Sequence, residues 1–301
     1  MNIDKEISKL KCLKTLGRYS KSIYSVAYSP DGNHIVSGLE GRIIKIWDIN
    51  TGKCLQLLKG HSDCVWSVAY SPNGNYIISG SWDNTIKIWN ANTGVCLKTL
   101  KGHLYGVESV AYSPDGNKII SSSFDKSIKI WDANTGECIR TLEGHLSVVE
   151  CVSYSPDGNK IISGSRDYSI KIWDANKGVC IKTLKGYLSI IKTVAYSPNG
   201  NHIVSGSADG TIKIWDINTE KCLKIIEGHS DYVLSVSYSP DGNRIISSSL
   251  DNTIKIWNAY TGVCLQTLKG HSYYVSSVAY SPNGNHIVSS SADGTIKIWG
   301  E

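Results

Sequence analysis

The sequence predicts an all-β protein, a seven-bladed β-propeller whose blades are four-stranded antiparallel sheets. The first observation is periodic: the string Ile-Lys-Ile-Trp recurs every 42 residues and ends at Trp47, Trp89, Trp131, Trp173, Trp215, Trp257 and Trp299. The second is completeness, because seven copies without insertion or deletion account for 7 × 42 = 294 of the 301 residues. A period near forty residues is typical of small units repeated within one domain, so residues 1–301 are expected to form a single propeller.

Residues 60–100 illustrate the elements of one repeat in order. Four β-rich segments separated by turn residues predict strands over 65–71, 76–80, 85–89 and 96–100. The first turn is Ser-Pro-Asn-Gly at 71–74, and all seven prolines of the chain occupy this repeat position. Proline sets the backbone angle of such a turn and glycine can take a positive φ. The four segments therefore form an antiparallel meander.

Each predicted sheet is apolar on both faces. Ile86 and Ile88 point to one side of the third strand, whereas Trp89 points to the other. A sheet with two apolar faces needs a neighbour on each side, and a closed ring supplies two neighbours to every copy.

The two ends of the chain predict how the ring closes. The last repeat stops after its third strand at Trp299, and the chain begins with an unattached fourth-strand segment at 12–16, preceded by a short lead at 1–11. The N-terminal segment is therefore expected to complete the last blade and to cover an edge that would otherwise be unpaired.

Three short motifs resemble those of the WD-repeat β-propellers over residues 12–300. They are Gly-His near the start of a repeat, Ser-x-Ser-x-Asp before its third strand, and Ile-Trp-Asp or Ile-Trp-Asn at the end of that strand. The resemblance implies a hydrogen-bonded structural group of His, Ser, Asp and Trp, and leaves open which serine of Ser-x-Ser takes part. The five complete sets are His61, Ser79, Asp83 and Trp89; His103, Ser121, Asp125 and Trp131; His145, Ser163, Asp167 and Trp173; His229, Ser247, Asp251 and Trp257; and His271, Ser289, Asp293 and Trp299.

Two repeats depart from this pattern. The fifth has Tyr187 in place of histidine but keeps Asp209, and the first has Arg18-Tyr19 for Gly-His and Gly41 for aspartate. The first repeat has lost both partners and lies beside the ring closure. We expect it to be the least rigid junction and the point where the ring opens.

Charge and cysteine content favour a globular protein in a reducing compartment. The net charge of +5 comes from 31 basic and 26 acidic residues, and lysines at equivalent repeat positions spread it around the ring without forming a stripe, so nucleic acid is not expected as a partner. No apolar run has the length of a signal peptide or a membrane span, so a cytoplasmic, intracellular location without membrane contact is expected. Nine cysteines suit reducing conditions. Seven share one repeat position and are expected to be small buried residues with inert thiols, namely Cys12, Cys54, Cys96, Cys138, Cys180, Cys222 and Cys264.

The recurrence of Ser, His and Asp raises the question of a hydrolase. An active site needs one activated nucleophile in one pocket, whereas five equivalent sets describe a structural frame. The chain lacks a Cys-x-x-Cys or His-x-x-x-His pair, a glycine-rich phosphate loop and a calcium-loop spacing. We therefore expect no enzyme activity, no catalytic residue, no metal and no cofactor.

Function is expected where the copies differ. Variation concentrates at two positions around the start of the first strand and at one position before the repeat aspartate. These positions resemble the ones that, in WD-repeat proteins, line the rim of the ring around the channel mouth. The candidate partner-binding residues are Tyr24, Glu40, Trp66, Trp82, Glu108, Phe124, Glu150, Arg166, Ile190, Lys192, Tyr232, Leu234, Leu250 and Tyr274. Drift at exposed loops is the alternative, but it predicts polar replacements, whereas aromatic and aliphatic residues predominate.

These residues predict a non-enzymatic protein–protein interaction scaffold, a monomeric ring that binds a protein or an extended peptide. The peptide would carry apolar residues and one Lys or Arg, placed near the acidic pair Glu108 and Glu150 or over an indole face. Two alternatives remain open at this point: nucleic-acid binding through positive charge and stacking aromatics, and the sensory or interaction module of a larger signalling protein.

Overall fold

The computed structural model describes residues 9–17 and 19–301. Within these residues, 28 β-strands form seven four-stranded antiparallel sheets, which confirms the predicted fold class. Arg18 and most of the predicted lead, residues 1–8, lie outside the described residues.

The strands follow one another around the ring with nearly constant lengths. The first fourteen are β1 (Lys11–Leu16), β2 (Ile23–Tyr28), β3 (His34–Leu39), β4 (Ile43–Asp48), β5 (Cys54–Lys59), β6 (Val65–Tyr70), β7 (Tyr76–Ser81), β8 (Thr85–Asn90), β9 (Cys96–Lys101), β10 (Val107–Tyr112), β11 (Lys118–Ser123), β12 (Ile128–Asp132), β13 (Cys138–Leu142) and β14 (Val149–Tyr154). The second fourteen are β15 (Lys160–Ser165), β16 (Ile170–Asp174), β17 (Cys180–Leu184), β18 (Ile191–Tyr196), β19 (His202–Ser207), β20 (Ile212–Asp216), β21 (Cys222–Ile226), β22 (Val233–Tyr238), β23 (Arg244–Ser249), β24 (Ile254–Asn258), β25 (Cys264–Leu268), β26 (Val275–Tyr280), β27 (Ile287–Ser291) and β28 (Ile296–Gly300).

Six blades are built from four consecutive strands, and the seventh joins the two ends of the chain. Blade 1 is β2–β5, blade 2 is β6–β9, and so on to blade 6 at β22–β25, whereas blade 7 has the order β1-β28-β27-β26. In each blade we name the strands a to d from the central channel outward. The a–b turns and the c–d turns lie on one face of the ring, and the connections from b to c and from d to the next a lie on the other, the upper face.

The closing strand is β1, as predicted. It pairs antiparallel with β28, with Cys12 opposite Trp299 and Leu16 opposite Ile296. The strand starts at Lys11, one residue earlier than predicted, because Lys11 pairs with Gly300.

Apolar side chains from both faces of every blade are buried between blades. In one such core, Trp89 of blade 2 packs with Ile44 and Ile46 of blade 1, and its exposed fraction is only 1%. Burying a tryptophan removes on the order of 200 Å² of surface from water, so each junction contributes several kcal/mol to folding. The stability of any blade therefore depends on its two neighbours, as the two-faced strand pattern predicts.

Hydrogen bonds also link the a strands of neighbouring blades around the channel. The backbone N–H of Val68 donates to Ser25 Oγ of the preceding blade at 3.2 Å, and the ring-closing equivalent runs from Val26 to Ser277 at 3.4 Å. Cys151 occupies the same repeat position in blade 4 and is buried. This hydrogen bond joins the a strands at six of the seven blade junctions, the exception being the junction of blades 4 and 5, where Cys151 takes the place of the hydroxyl residue.

The expected burial of the repeat-position cysteines is wrong. All seven are exposed, and only Cys151, which lies outside that position, is buried. The physical reason is their place at the start of strand d, the outermost strand, where no neighbouring blade covers the side chain. Their contacts are local, such as the 3.4 Å approach of Cys96 Sγ to the Lys98 carbonyl oxygen.

A buried hydrogen-bonded group joins strands b and c of a blade to the two connections at its upper edge. Trp89 Nε1 donates to Ser79 Oγ at 2.8 Å, Ser79 Oγ lies 2.7 Å from His61 Nε2, and His61 Nδ1 lies 2.7 Å from Asp83 Oδ2. Since the carboxylate only accepts, His61 donates from Nδ1 and accepts the Ser79 hydroxyl proton at Nε2. Burial raises the pKa of the Asp83 carboxyl, but hydrogen bonds from His61 and Thr85 lower it more, so its net pKa lies well below the usual range.

The geometry assigns the first serine of Ser-x-Ser to this group. The second serine, such as Ser81, instead donates to the Asp63 carbonyl oxygen and accepts the Asp83 N–H. The same arrangement recurs in blades 3, 4, 6 and 7 through Trp131, Trp173, Trp257 and Trp299.

Tyrosine replaces histidine in the two divergent repeats. The Tyr187 hydroxyl lies 2.6 Å from Ser205 Oγ, and the Lys213 ammonium rests 3.9 Å from the centre of the Tyr187 ring. In blade 1, Lys45 Nζ lies 3.3 Å from the centre of the Tyr19 ring. The lysine that recurs at this repeat position thus supplies a cation–π contact where the histidine is missing. That blade 1 is the least rigid junction stays a prediction.

Adjacent serines in blade 3 separate the role of this group from mere burial. Ser121→Ala should lower the free energy of unfolding by about 2–3 kcal/mol, because Trp131 Nε1 and His103 Nε2 both lose their partner. Ser122→Ala is the matched control, since Ser122 is equally buried and its hydroxyl has no hydrogen-bond partner among the described residues. Urea unfolding of the two variants measures the difference. Equal losses would show that the hydrogen bonds to Ser121 contribute nothing net.

Candidate interaction site at the channel mouth

The candidate partner-binding residues gather where the channel opens on the upper face. Some of these candidates, such as Trp66, are the second residues of a strands. Others, such as Trp82, lie on b–c connections, which backbone hydrogen bonds such as Trp82 N–H to the Cys64 carbonyl oxygen hold against the start of the a strands. A cavity of about 440 Å³ opens here. Nine of the fourteen predicted residues line it: Tyr24, Trp66, Glu108, Glu150, Lys192, Tyr232, Leu234, Leu250 and Tyr274.

Four aromatic residues form a continuous stack across blades 1 to 3, which we call the aromatic ledge: Tyr24, Trp66, Trp82 and Phe124. The ring centres of Tyr24 and Trp66 are 4.0 Å apart, and those of Trp66 and Trp82 are 4.8 Å apart with nearly parallel planes. Phe124 meets Trp82 edge to face at 5.8 Å. Each contact favours the others, so the ledge holds a defined shape.

Trp82 is the most exposed member of the ledge and the most firmly held. Its exposed fraction is 41%, and its indole N–H donates to Glu108 Oε1 at 2.9 Å. The ring also lies against Gly106, where an added Cβ would come within 2.8 Å of Trp82 Cδ1. Glycine at this position therefore leaves room for the indole to pack on the backbone, and no other repeat has glycine there.

The expected acidic pair does not offer two free carboxylates. Glu150 is buried and forms ion pairs with Arg166 and with Lys192, the latter at 2.7 Å. Arg166 in turn lies 4.8 Å from the centre of the Phe124 ring. The protein's own cations thus occupy one of the two acids that were expected to receive a cation from a partner, and Arg166 covers Phe124, whereas the expected aromatic face was an indole.

Glu108 is buried with one hydrogen-bond donor. Its exposed fraction is 5%, and Trp82 Nε1 is the donor that reaches it. Burial, followed by the nearby charge of Glu150, raises the pKa of Glu108 to about 7. The carboxyl therefore changes its charge near neutral pH, directly beneath the ledge.

The opposite side of the mouth is aliphatic and aromatic, and it carries five of the candidate partner-binding residues. Tyr232, Leu234, Leu250 and Tyr274 line the cavity, whereas Ile190 is half-buried outside it. Glu40 is turned back to the protein and accepts the Ser22 N–H at 3.1 Å. Burial, followed by the charge of Glu40, raises the pKa of Tyr24 to about 12, so this ring stays neutral.

The sequence comparison missed three exposed leucines on the same face. Leu104, Leu146 and Leu188 have exposed fractions of 75%, 83% and 96%. They follow the histidine or tyrosine at the start of blades 3, 4 and 5. The signal that could have found them is visible in the repeats, because blades 2, 6 and 7 have serine at this position.

The repeated Ser-His-Asp sets have no access to a substrate. Ser79 has no exposed surface, and its oxygen is held by Trp89 and His61. Among residues 9–17 and 19–301, no three His, Cys, Asp or Glu side chains gather in a way that could hold a metal ion. The described part of the chain also contains no helix long and apolar enough to cross a membrane.

These features define a closed propeller of seven near-identical blades with a chemically varied channel mouth. The repeat family described as WD domain, G-beta repeat matches residues 10–48, 52–90, 94–132, 136–174, 178–216, 220–258 and 262–300, and the chain belongs to this family. Propellers of this family are typical protein-interaction scaffolds and are generally non-enzymatic. The chain is also 41% identical over 49 residues to Protein HIR1 of Kluyveromyces lactis, a stretch that covers 16% of this chain and 6% of that protein.

Proposed function

We propose that the protein is a non-enzymatic scaffold that binds a protein segment at the channel mouth through the aromatic ledge. The observation that carries this proposal is the ledge itself: four stacked aromatic side chains, one of them 41% exposed, at positions where the repeats differ most. Exposed apolar surface of this kind marks an interaction site.

The order within the ledge favours tight binding. Trp82 is fixed by its stacking on Trp66, by its hydrogen bond to Glu108 and by its seat on Gly106. A side chain that is already immobile loses little conformational entropy when a partner covers it, so more of the contact energy remains as affinity.

The charges at the mouth favour apolar partner residues over a lysine or arginine. Glu150 already pairs with Arg166 and Lys192, and a partner cation would have to displace one of them. Apolar side chains can instead cover the exposed face of Trp82 and enter the cavity beside Leu234 and Leu250. We therefore propose that the partner contacts the ledge with an apolar side chain, and not with the Lys or Arg that the sequence predicted.

Substitution of both ledge tryptophans tests the proposal. Peptides selected from a random display library on the intact ring supply the probe, and the Trp66→Ala, Trp82→Ala variant should bind them with a loss of about 2 kcal/mol or more, roughly 30-fold. Isothermal titration calorimetry measures the change.

The repeats provide a matched control for this test. Trp66→Tyr and Trp82→Phe introduce the residues that blades 1 and 3 have at these positions, Tyr24 and Phe124, and should preserve most of the affinity. Unchanged binding in the double alanine variant, with an unchanged melting temperature, would remove the ledge as the binding site.

A further inference from the structure

Three nearly fully exposed leucines extend the apolar surface of the channel mouth outward. We call Leu104, Leu146 and Leu188 the leucine arc; they lie on the connections that enter blades 3, 4 and 5. Tyr105 and Tyr168 add to this surface with exposed fractions of 63% and 47%. Large exposed apolar side chains at the same position of three consecutive blades are more than the single scattered residues that soluble proteins usually expose.

The fold does not require leucine at these positions. Blades 2, 6 and 7 have Ser62, Ser230 and Ser272 at the same place, within a framework that is otherwise almost unchanged. Serine is therefore compatible with the local backbone. The leucines occur on one side of the ring only, which indicates a directional surface.

Hydrogen bonds join the segments that carry the aromatic ledge to the segment that carries Leu104 of the leucine arc. The b–c connection that carries Trp82 reaches the next blade through Asn84 Nδ2, which donates to the Leu104 carbonyl oxygen at 3.3 Å. Phe124 N–H donates to the Gly106 carbonyl oxygen at 3.0 Å, two residues beyond Leu104. A bound segment can therefore contact the ledge and the arc without crossing the ring.

The exposed charges around both surfaces are mainly basic. On the upper-face connections of blades 1 to 5, counted with the last residue of each d strand, the described residues include six exposed basic side chains, Lys21, Arg42, Lys59, Lys101, Lys126 and Lys185, against two exposed acids, Glu143 and Asp209. The exposed acids Glu227 and Asp231 lie on the connection from blade 5 into blade 6, beside the blade that carries Leu188, so six exposed basic side chains stand against four exposed acids. The field over the ledge and the arc therefore attracts negative charge.

We propose that the partner is an acidic amphipathic protein segment that covers both the aromatic ledge and the leucine arc. Its apolar side chains contact Trp82 and the three leucines, and its carboxylates face the surrounding lysines. This inference rests on the proposed function of the ledge and names the chemistry of its partner.

A protein segment fits these surfaces better than a nucleic acid or a membrane does. Nucleic-acid bases stack on free aromatic faces, but the ledge rings are largely stacked on one another. The leucine side chains form no favourable contact with phosphate groups. A bilayer surface could cover the leucines but could not enter the cavity of about 440 Å³ at the channel mouth.

Selection of random 15-residue peptides on the intact ring tests the chemistry of the partner. The selected peptides should be enriched in Asp and Glu interleaved with Leu, Ile, Phe or Trp, and their affinity should weaken as salt rises. Enrichment of basic or uncharged peptides would overturn the inference. So would salt-dependent binding of single-stranded oligonucleotides, or of vesicles containing phosphatidylserine, that is lost when the leucines are replaced.

The repeats supply variants that the fold already tolerates. Leu104→Ser, Leu146→Ser and Leu188→Ser together should weaken binding of a selected peptide roughly tenfold or more, whereas Ser62→Leu, Ser230→Leu and Ser272→Leu should leave it unchanged. Lys101→Glu with Lys185→Glu introduces the residue found at Glu143 and Glu227 and should weaken binding and reduce its dependence on salt.

The two proposals fail in different ways. If the leucine variants bind normally and the double tryptophan variant does not, the channel mouth binds the partner and the leucine arc is overturned. If neither set of variants changes the affinity, both the proposed function and this inference are overturned.

Discussion

A chain that lacks residues 1–16 is expected to melt at least about 10 °C below the intact protein, a loss of about 5 kcal/mol or more. The deletion removes β1, which supplies the outer strand of blade 7 and buries Leu16 against blade 1. Loss of one buried leucine alone costs about 2–5 kcal/mol. Lys297 would also lose its 3.0 Å hydrogen bond to Thr15.

The closure differs from every other strand pairing in the ring because its two halves are far apart in sequence. Strand pairing within blades 1 to 6 joins consecutive segments, whereas β1 and β28 are brought together only when the whole ring has formed. The outer edge of β28 would be unpaired without β1 and would be open to pairing with another chain.

A chain that lacks only residues 1–8 is the control for this deletion. Differential scanning calorimetry of both chains measures the two melting temperatures. A normal melting temperature for the longer deletion would mean that blade 7 is stable with three strands, and that closure depends on the contacts of β2 with β26 and β27 instead.

Sequence periodicity predicts the fold well because the same local pattern is repeated seven times. The strand bounds in blade 2 differ from the predicted ranges by no more than one residue, and β1 closes the ring as the unmatched chain ends require. Repetition improves the prediction because the turn at 71–74 can be compared with six equivalent turns in the other repeats. The order of strands in each blade then follows from the meander, and the packing of each blade on the next follows from the closed ring.

Side-chain direction and charge pairing could not be predicted in the same way. The cysteines at the Cys96 position were expected to be buried, but a residue at the start of an outer strand has no neighbouring blade to cover it. Glu150 was expected to be available to a partner, but it pairs with Arg166 of its own blade 4 and with Lys192 of blade 5, and these three positions meet only at the channel mouth. A period of 42 residues carries no information about contacts between positions that differ from copy to copy.

Stability is expected to fall as pH rises from about 4.5 to about 7, by up to about 3 kcal/mol, because of Glu108. Burial raises the pKa of this carboxyl from its ordinary value of 4.5 to about 7 in the folded protein. The folded state therefore binds more protons than the unfolded state between these values, and deprotonation favours unfolding. Below about pH 4.5 the carboxyl is protonated in both states and the destabilisation vanishes.

Glu108→Gln isolates this contribution. The amide oxygen can still accept the Trp82 N–H, but the side chain carries no charge at any pH. At pH 8 the variant should be more stable than the intact protein by up to about 3 kcal/mol, and the difference should disappear towards pH 4.5. Urea unfolding at intervals between pH 5 and 8 measures it, away from the acidic range where the aspartates hydrogen-bonded to histidine are protonated.

A variant of the neighbouring carboxylate, Glu150→Gln, is the comparison for Glu108→Gln. Glu150, Arg166 and Lys192 are the charged groups that act on Glu108, and they already pair with one another. Glu150→Gln leaves Arg166 and Lys192 without their carboxylate and should destabilise the protein by about 1.5–3 kcal/mol, because hydrogen bonds to a charged group are lost. If Glu108→Gln were no more stable at pH 8 than at pH 5, relative to the intact protein, the carboxyl would already be ionised and hydrated. Trp82 would then rest on a charged acceptor, and affinity at the ledge would be independent of pH near neutrality.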